Sequence, residues 1–534
     1  MKCEVESHSF VAGRQQTRPS RPRRPRRVQG LCSGLCIWLL LAACPAVSAQ
    51  TIEILQMTGE PWSTGVIDDL GRPSNASPNI VVYPGSFDRG VFDEPDVIWQ
   101  SRGGIITAIA TQTQEFGTGY QLGALWGANQ TLPATNSEGD VLFVARFNPI
   151  GSSISDEGLF LYDASSGSLE TVVKDGDPVP DGNGYLYVAL TNHPALGNDG
   201  RVAFWGTISG AVGGLGNGSG IFRWTNGNLV RIARSGQTRP GGTELLEAFT
   251  WPSINHKGDV AFWADLDPSG QGIYRGRGGQ LVEIARTGDE SPAGWVIDDF
   301  IPLSGVAIND SAQVAFRARV DTPVCCALTD VLYLGSGGNL TRLTYGGAAA
   351  SDGGIVPYTI SRNLALNNQG QVAFTGQYSN SNSGIFRVSP GGVAVKIARE
   401  DETVPGSTAQ KFTLIWGHEL ALNERGDVAF VASFNNGSGA VEGLFFYSDS
   451  RGLVRVVEPG TPLAGNTVKY FQFVGTSSFD WRSGEPSGLD DNGNVVFWFR
   501  LNDNREGIAV FNSAGIFSDG FESGNVSRWS LSSP

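Results

Sequence analysis

The stretch "LALNERGDVAF" (Leu420–Phe430) recurs along the chain in recognisable form. Similar stretches are "LALNNQGQVAF" from Leu364, "PSINHKGDVAF" from Pro252 and "PATNSEGDVLF" from Pro133. When they are aligned on the Asn, successive copies lie between 54 (Asn255 to Asn309) and 67 (Asn423 to Asp490) residues apart. The eight anchors are Asn75, Asn136, Gly197, Asn255, Asn309, Asn367, Asn423 and Asp490. Recurrence at a nearly fixed interval indicates a structural repeat rather than a catalytic signature.

The motif has the residues of a tight turn between two strands. In N-x-x-G, the Asn side chain can hydrogen-bond to its own backbone at the first position of a type I turn. The Gly can take the positive φ that is needed to enter the next strand. In the following "DVAFWADL" (Asp259–Leu266), alternate residues share one face of a strand, as expected for a sheet. These are Val260, Phe262, Ala264 and Leu266.

Each copy carries three further strand-like segments. After the motif come segments such as "GLFFYS" and "GLVRVVEPG", and before the Asn lies an apolar run such as "FTLIW" (Phe412–Trp416). Four short strands per repeat predict an all-β fold, namely a single β-propeller of about eight four-stranded blades. Seven blades is the alternative if the copy at Asn75 is irregular, and a β-solenoid is the rival architecture.

The two ends of the repeat region complement each other. The last copy ends at "GIAVF" (Gly507–Phe511) without its final segment, whereas "TIEILQM" (Thr51–Met57) is such a segment with no repeat before it. Pairing them would close the ring and cover both sheet edges. We therefore expect the propeller, closed by an N-terminal strand, to occupy residues 50–513 and a C-terminal tail to occupy 514–534.

Residues 1–49 have the features of an export signal. A basic run (Arg18–Gly30) precedes the apolar "LCIWLLLAAC" (Leu35–Cys44), and small residues favour cleavage after Ala49. Alternatively, "LAAC" is a lipobox in which Cys44 is acylated and tethers the protein to a membrane. Both alternatives predict an exported protein that is periplasmic, on the cell surface or secreted.

The charge of the remaining chain excludes one class of partner. Without residues 1–49 it has 30 Lys and Arg against 50 Asp and Glu, a net charge of about −20. Such a surface repels phosphate backbones, which argues against nucleic-acid binding. Cys325 and Cys326 are then the only cysteines, and because adjacent cysteines rarely bridge, no disulfide framework is expected. The partner remains an unknown protein or glycan, with a membrane only if Cys44 is lipidated.

The intact N-x-x-G-x-x-A-F motifs carry a family resemblance. They stand at Asn255–Phe262, Asn367–Phe374 and Asn423–Phe430, and they resemble the NxxGxxAF tandem-repeat family of exported bacterial proteins. That group is defined by its repeat and has no assigned activity. This chain departs from the pattern at Gly197, Ala312 and Asp490, and in the copy from Asn75.

No enzyme signature such as H-E-x-x-H, G-x-S-x-G or a P-loop occurs, so no catalytic residue is assigned. If the run before each Asn is the innermost strand, the polar and aromatic residues near its end line the channel, where propellers commonly bind ligands. Ordinary solvated loop residues are the alternative interpretation, which also applies to His256 in the turn. The channel candidates are His193, Trp251, Arg362, His418, Glu419 and Glu485.

Two other recurrent features have structural explanations. The acids in "GDPVP" (Gly176–Pro180) and "DDNGN" (Asp490–Asn494) fit turns, with weak Ca²⁺ binding as the alternative, and no other cofactor is predicted. The Arg that ends each "IAR" segment, such as Arg234, fits an edge-strand charge that discourages aggregation. The expected function is a binding or scaffolding module at or outside the cell envelope. The alternative is an extracellular hydrolase or lyase that acts on polysaccharide or peptide from the channel, which rests on fold analogy alone.

Overall fold

The structure is a computed structural model, and it describes most of the repeat region. The described residues are 51–62, 65–77, 79–87, 96–125, 132–152, 155–187, 194–211, 216–250, 252–292, 294–300, 306–321, 328–378, 382–415, 419–475 and 487–513. The predicted export signal with Cys44, the Cys325–Cys326 pair and the predicted tail lie outside them. Within the described residues, no helix is long and apolar enough to cross a membrane.

The described chain forms eight antiparallel sheets, which are the blades of a β-propeller. Each sheet contains four main strands, from an inner strand at the channel to an outer strand at the rim. The inner strands are Gly65–Leu70, Tyr120–Leu122, Tyr185–Tyr187, Leu245–Phe249, Trp295–Asp299, Thr359–Leu366, Phe412–Leu414 and Asn466–Gln472. The second strands are Ile80–Phe87, Val141–Pro149, Val202–Ser209, Val260–Asp267, Val314–Asp321, Val372–Gln377, Val428–Asn435 and Val495–Leu501.

The other strands complete the same eight sheets, which we number as blades 1 to 8. The third strands are Val97–Arg102, Asp156–Asp163, Gly218–Thr225, Gln271–Gly276, Thr329–Gly335, Ser383–Val388, Ala440–Ser448 and Glu506–Asn512. The outer strands are Ile105–Thr111, Ser168–Lys174, Asn228–Arg234, Val282–Arg286, Thr341–Tyr345, Val395–Arg399, Gly452–Val457 and Thr51–Met57. Short strands flank the inner ones at Pro61–Trp62, Ser74–Ser77, Glu115–Phe116, Ala134–Thr135, Ala195–Leu196, Ser253–Ile254, Glu290–Ser291, Ala307–Ile308, Leu420–Leu422 and Pro462–Leu463.

The N-terminal strand closes the ring. Thr51–Met57 runs antiparallel to Glu506–Asn512, with Thr51 opposite Asn512 and Met57 opposite Gly507. It is therefore the outer strand of blade 8, which confirms the predicted closure and the predicted number of eight blades. The first and last strands of the described chain thus share one sheet, and the N-terminal strand completes the last blade.

Each second strand is buried on both faces, because a blade lies between two others. Val260 and Phe262 pack against Ile221 of blade 3, whereas Trp263 packs with Phe316 of blade 5. The alternation predicted from the sequence is confirmed, but both faces are apolar, as in a strand covered on both sides. Full burial of each such side chain contributes about 1.5–3 kcal/mol.

The Asn turns have the predicted hydrogen bonds. The Oδ1 atom of Asn255 accepts from the backbone N–H groups of Lys257 (3.0 Å) and Asp259 (2.9 Å). The N–H of Gly258 donates to the carbonyl of Asn255 at 2.9 Å, and Gly258 has a φ of +75°. The turn that the sequence predicts is therefore confirmed.

The same Asn also joins neighbouring blades. The Nδ2 atom of Asn255 donates to the carbonyl of Asn309 in the next blade at 2.9 Å. Equivalent bonds run from Asn136 to Gly197, Asn309 to Asn367, Asn367 to Asn423 and Asn423 to Asp490. The short strands before these turns also contact one another from blade to blade, as Ser253–Ile254 and Ala307–Ile308 do. We call this end of the channel the narrow end.

Candidate functional site

The inner strands bulge where they approach the other end of the channel, which we call the wide end. In blade 5 the ladder between the inner and second strands shifts register between Ile297 and Asp299, so Asp298 is an extra residue. Similar shifts occur in blades 1, 4, 7 and 8. A bulge turns two successive side chains away from the buried faces of the blade. We call the bulge residues of these five blades the bulge ring: Asp68, Asp69, Glu247, Ala248, Asp298, Asp299, Thr413, Leu414, Lys469 and Tyr470.

The bulge ring is strongly acidic, since it contains five carboxylates and a single lysine, Lys469. The exposed side chains of Glu247 and Asp298 make no hydrogen bond or ion pair within the described part of the chain. Burial raises the pKa of Asp265 on the adjoining second strand, and the charges of Glu247 and Asp299 raise it further. The carboxylates of blades 4 and 5 are thus close enough to repel one another, which makes this arc of the channel electronegative.

A second carboxyl cluster lies where blade 8 meets blade 1. Glu506 is 4% exposed, and its Oε2 atom accepts from the N–H of Leu70 at 3.3 Å. Arg500 donates to Glu506 through Nη2 and to the hydroxyl of Tyr470 through Nη1 at 2.6 Å. Burial raises the pKa of the Glu506 carboxyl, and the hydrogen bond and charge of Asp69 raise it further. The raised pKa makes the Glu506 carboxyl easier to protonate than an ordinary glutamate.

The position of Glu506 has a structural role that recurs in other blades. In blades 5, 6 and 7, as in blade 1, a backbone N–H at the inner strand is capped by a polar side chain from the third strand of the preceding blade. The caps are Gln271 to Phe300 at 2.8 Å, Asp330 to Ile360 at 2.9 Å and Ser383 to Ile415 at 2.9 Å. Glu506 differs because Asp69 places a second carboxyl beside the cap.

Exposed apolar side chains are concentrated on the inner strands. Of the eleven large apolar residues that are exposed in the described part of the chain, six lie on inner strands, and a seventh, Tyr358, directly precedes one. The six are Val66, Tyr185, Tyr187, Val296, Leu414 and Tyr470. Exposed apolar surface that gathers in one concave region is typical of a binding site.

The structure describes only part of the site that the sequence predicts. His193, Trp251, His418 and Glu485 lie outside the described residues. The backbone of Arg362 belongs to the inner strand Thr359–Leu366, but its side chain is outside the described part. Glu419 is half-buried, and its Oε2 atom accepts from the N–H of Gly475 at 2.8 Å. Of the six channel candidates, Glu419 is therefore the one whose side chain belongs to the described part of the chain.

Two other residues that the sequence analysis singles out, His256 and Arg234, are described in full. His256 is exposed as expected, but its Nδ1 atom lies 2.6 Å from Asp310 Oδ2 in the next blade. Arg234 corrects the expectation of an edge-strand charge, because it is fully buried. Its guanidinium is held by Asp181 at 3.0 Å and by the carbonyl of Gly216.

Acids in the connecting loops make turn contacts. In "GDPVP", Asp177 Oδ2 accepts from the N–H of Lys174 at 2.8 Å. In "DDNGN", Asp490 Oδ1 accepts from the N–H groups of Asn492 and Asn494. Among the described residues, no group of three or more His, Cys, Asp or Glu side chains is arranged to hold a metal ion.

The bulge-ring acids were not among the sequence candidates, although the sequence contains a signal for them. "VIDDL" (66–70) and "VIDDF" (296–300) place two adjacent acids between apolar residues. The apolar residues on either side of the doublet are three positions apart, so they would point to opposite faces of a regular strand. A bulge between them lets both side chains be buried on the same face. The doublet, which occurs at the same place in two repeats, could have identified the bulge.

Comparisons with known proteins place the chain in a family without adding an activity. No curated protein matches it. Among solved structures, it resembles the β-propeller domain of the Trilobed protease from Pyrococcus furiosus, at 8% identity over 71% of this chain and 94% of that chain, with a TM-score of 0.38. An oligogalacturonate lyase in complex with manganese gives 10% identity over 76% and 99% of the two chains, with a TM-score of 0.38.

Porphyromonas gingivalis dipeptidyl peptidase 4 gives 9% identity over 85% of this chain and 64% of that chain, with a TM-score of 0.42. At these levels of identity and superposition, none of the three bears on the activity of this chain. The sequence profile of a family of unknown function, DUF7453, matches residues 94–516, which is most of the chain. The protein therefore belongs to the DUF7453 family.

Proposed function

We propose that this protein is an exported β-propeller that acts as a binding or scaffolding module at or outside the cell envelope and takes its ligand at the wide end of the channel. The observation that carries the proposal is the concentration of exposed large apolar side chains on the inner strands. The export signal and the alternative lipidation at Cys44 support the location, and both lie outside the described residues.

The chemistry of the bulge ring favours a basic protein segment as ligand. Glu247 and Asp298 present carboxylates that are exposed and unpaired within the described chain. Tyr187 and Tyr358 are 42% and 51% exposed, and tyrosine rings attract Lys and Arg side chains through cation–π contacts. The net negative charge of the chain would also steer a cationic partner toward the protein.

Labelled oligo-lysine and oligo-glutamate peptides test this proposal directly. Wild type is expected to bind oligo-lysine alone, with an affinity that falls as salt is raised. A Glu247→Gln/Asp298→Asn variant should bind about tenfold more weakly, because two unpaired carboxylates are removed. The control variant Glu138→Gln/Asp156→Asn removes the same charge from two exposed residues outside the bulge ring. Equal binding by all three proteins would refute the proposal.

A second candidate function, an extracellular hydrolase or lyase, is favoured by one specific cluster. Asp69 and Glu506 share a hydrogen bond beside Arg500 and Tyr470, and one raised carboxyl pKa can support proton transfer. Turnover of a polysaccharide or peptide that Glu506→Gln abolishes without loss of stability would favour this candidate. Turnover that survives this substitution would exclude the cluster as its catalytic group.

A further inference from the structure

A cleft between blades 2 and 3 lies apart from the bulge ring. Its volume is about 460 Å³, which is within the usual range of about 300–1,000 Å³ for small-molecule sites. One wall is the hairpin of Glu115–Phe116 and Tyr120–Leu122, and another is the outer strand Ser168–Lys174 of blade 2. The third wall is the hairpin between the third and outer strands of blade 3. We call it the blade 2–3 cleft.

One repeat position of the outer strand is short in blade 2, as it is in blade 1, where Ala108 lies opposite Trp99. The pairing between the third and outer strands also shifts register once in each of blades 2 to 7. The first pair after this shift joins an aromatic residue of the third strand to one residue of the outer strand. In blade 2 this residue is Thr171, opposite Phe160. In blades 3 to 7 it is a long charged residue, namely Arg231, Glu283, Arg342, Lys396 and Arg455.

Those long side chains occupy the corresponding space in the other blades. In blade 5 the guanidinium of Arg342 lies 4.5 Å from the ring centroid of Trp295. In blade 7, Arg455 pairs with Glu458 at 2.8 Å, and in blade 6, Lys396 pairs with Glu402. Thr171 is too short to fill this space in blade 2, so the cleft stays open.

The groups that remain in the cleft suit a neutral, polyhydroxylated ligand. Lys174 is paired with Asp177 at 2.9 Å and lies 5.8 Å from the ring centroid of Tyr120, so the lining has no net charge of its own. The pair still offers N–H donors and carboxylate acceptors, and Thr118 and Thr171 add hydroxyl groups. Tyr120 and Phe116 supply apolar ring surface.

We infer that the blade 2–3 cleft is a saccharide-binding site that takes one or two neutral sugar rings. Sugar rings combine apolar C–H faces with many hydroxyls, which matches aromatic rings beside hydroxyls and a neutralised ion pair. The inference does not depend on the ligand of the bulge ring, because the cleft lining shares no residue with that ring.

Saturation-transfer NMR with neutral sugars tests the inference. The panel contains glucose, galactose, mannose, N-acetylglucosamine and their disaccharides. Wild type is expected to show transfer to at least one of them. Thr171→Arg should weaken that binding at least about tenfold, because it restores the long side chain that several other blades accommodate, whereas Thr171→Ser should leave it unchanged.

Two further variants keep the test decisive. Thr118→Arg places a long side chain from an exposed hairpin residue, so it blocks the cleft without needing core space. Glu247→Gln/Asp298→Asn changes the bulge ring and should not alter sugar binding. No transfer to any sugar, or equal transfer in wild type, Thr171→Arg and Thr118→Arg, would overturn the inference.

Discussion

The narrow end and the wide end of the channel differ in how much the sequence varies from blade to blade. At the narrow end, Asn turns with the same hydrogen bonds recur around the ring. At the wide end, the bulge ring carries acids in blades 1, 4 and 5, and Thr, Leu, Lys or Tyr in blades 7 and 8. Within one repeat, the residues of the Asn turn are therefore nearly uniform from blade to blade, whereas the residues of the bulge differ.

The physical reason for this difference is that the Asn side chains form hydrogen bonds to buried backbone groups. An Asn at the narrow end serves two backbone N–H groups in its own turn and one carbonyl in the next blade, so a replacement leaves several buried groups unpaired. The exposed bulge side chains of Glu247 and Asp298 make no such bonds within the described part of the chain. Stability thus constrains the Asn turns of the narrow end more strongly than these exposed positions of the wide end.

The largest loss of stability is predicted for the substitution Asn367→Ala at the narrow end. Asn367 is 2% exposed and makes four hydrogen bonds, to Gln369, Gln371 twice and Asn423. Losing them should lower the free energy of unfolding by about 2–4 kcal/mol, measured by urea denaturation. The control Asn436→Ala removes one exposed hydrogen bond and should change it by less than about 0.5 kcal/mol. Equal losses of stability in the two variants would contradict a structural constraint on the narrow end.

A smaller effect is expected at the one described turn that lacks Gly at its fourth position. Ala312 adopts a φ of +57°, whereas Gly370 in the next turn adopts +75°. Because a left-handed conformation costs a residue with a Cβ about 1–2 kcal/mol, Ala312→Gly should raise the free energy of unfolding by about 0.5–1 kcal/mol. Gly370→Ala should lower it, since its Cβ would lie 3.1 Å from Pro390. Denaturation that shows both variants moving in one direction would contradict this account.

The carboxyl pair at the boundary of blades 8 and 1 should make stability depend on pH. Burial and Asp69 raise the pKa of Glu506 above its ordinary value of 4.5. Its contribution to stability is therefore fully present below about 4.5 and is lost as pH rises through the raised pKa. Glu506→Gln cannot titrate, so its stability relative to wild type should increase from pH 4 to 7. A relative stability that falls over this range, in denaturation at matched pH, would contradict the raised pKa.

The smallest effects on stability are expected at the wide end. Asp298→Asn and Thr413→Ala alter exposed bulge residues and should change the free energy of unfolding by less than about 0.5 kcal/mol. The measurement is again urea denaturation. A loss above about 1 kcal/mol in either variant would show that the bulge ring is under structural constraint, as the narrow end is.

Much of the fold could be predicted from the sequence, because the repeat encodes turns and strands locally. Asn255 and Gly258 determine the turn, and the unpaired segments at the two ends of the repeat region predict the closing strand. The buried state of Arg234 could not be predicted, because its partner Asp181 lies in a connecting loop 53 residues earlier. Likewise, the gap at Thr171 becomes visible only when strand registers are compared across blades.

A crystal structure of the protein with bound oligo-lysine would test the central claim most directly. The account predicts peptide density at the wide end, against the carboxylates of Glu247 and Asp298 and the exposed inner-strand tyrosines, with the Asn turns unchanged. Peptide bound at the Asn turns or on the outer strands, with the bulge ring empty, would contradict it.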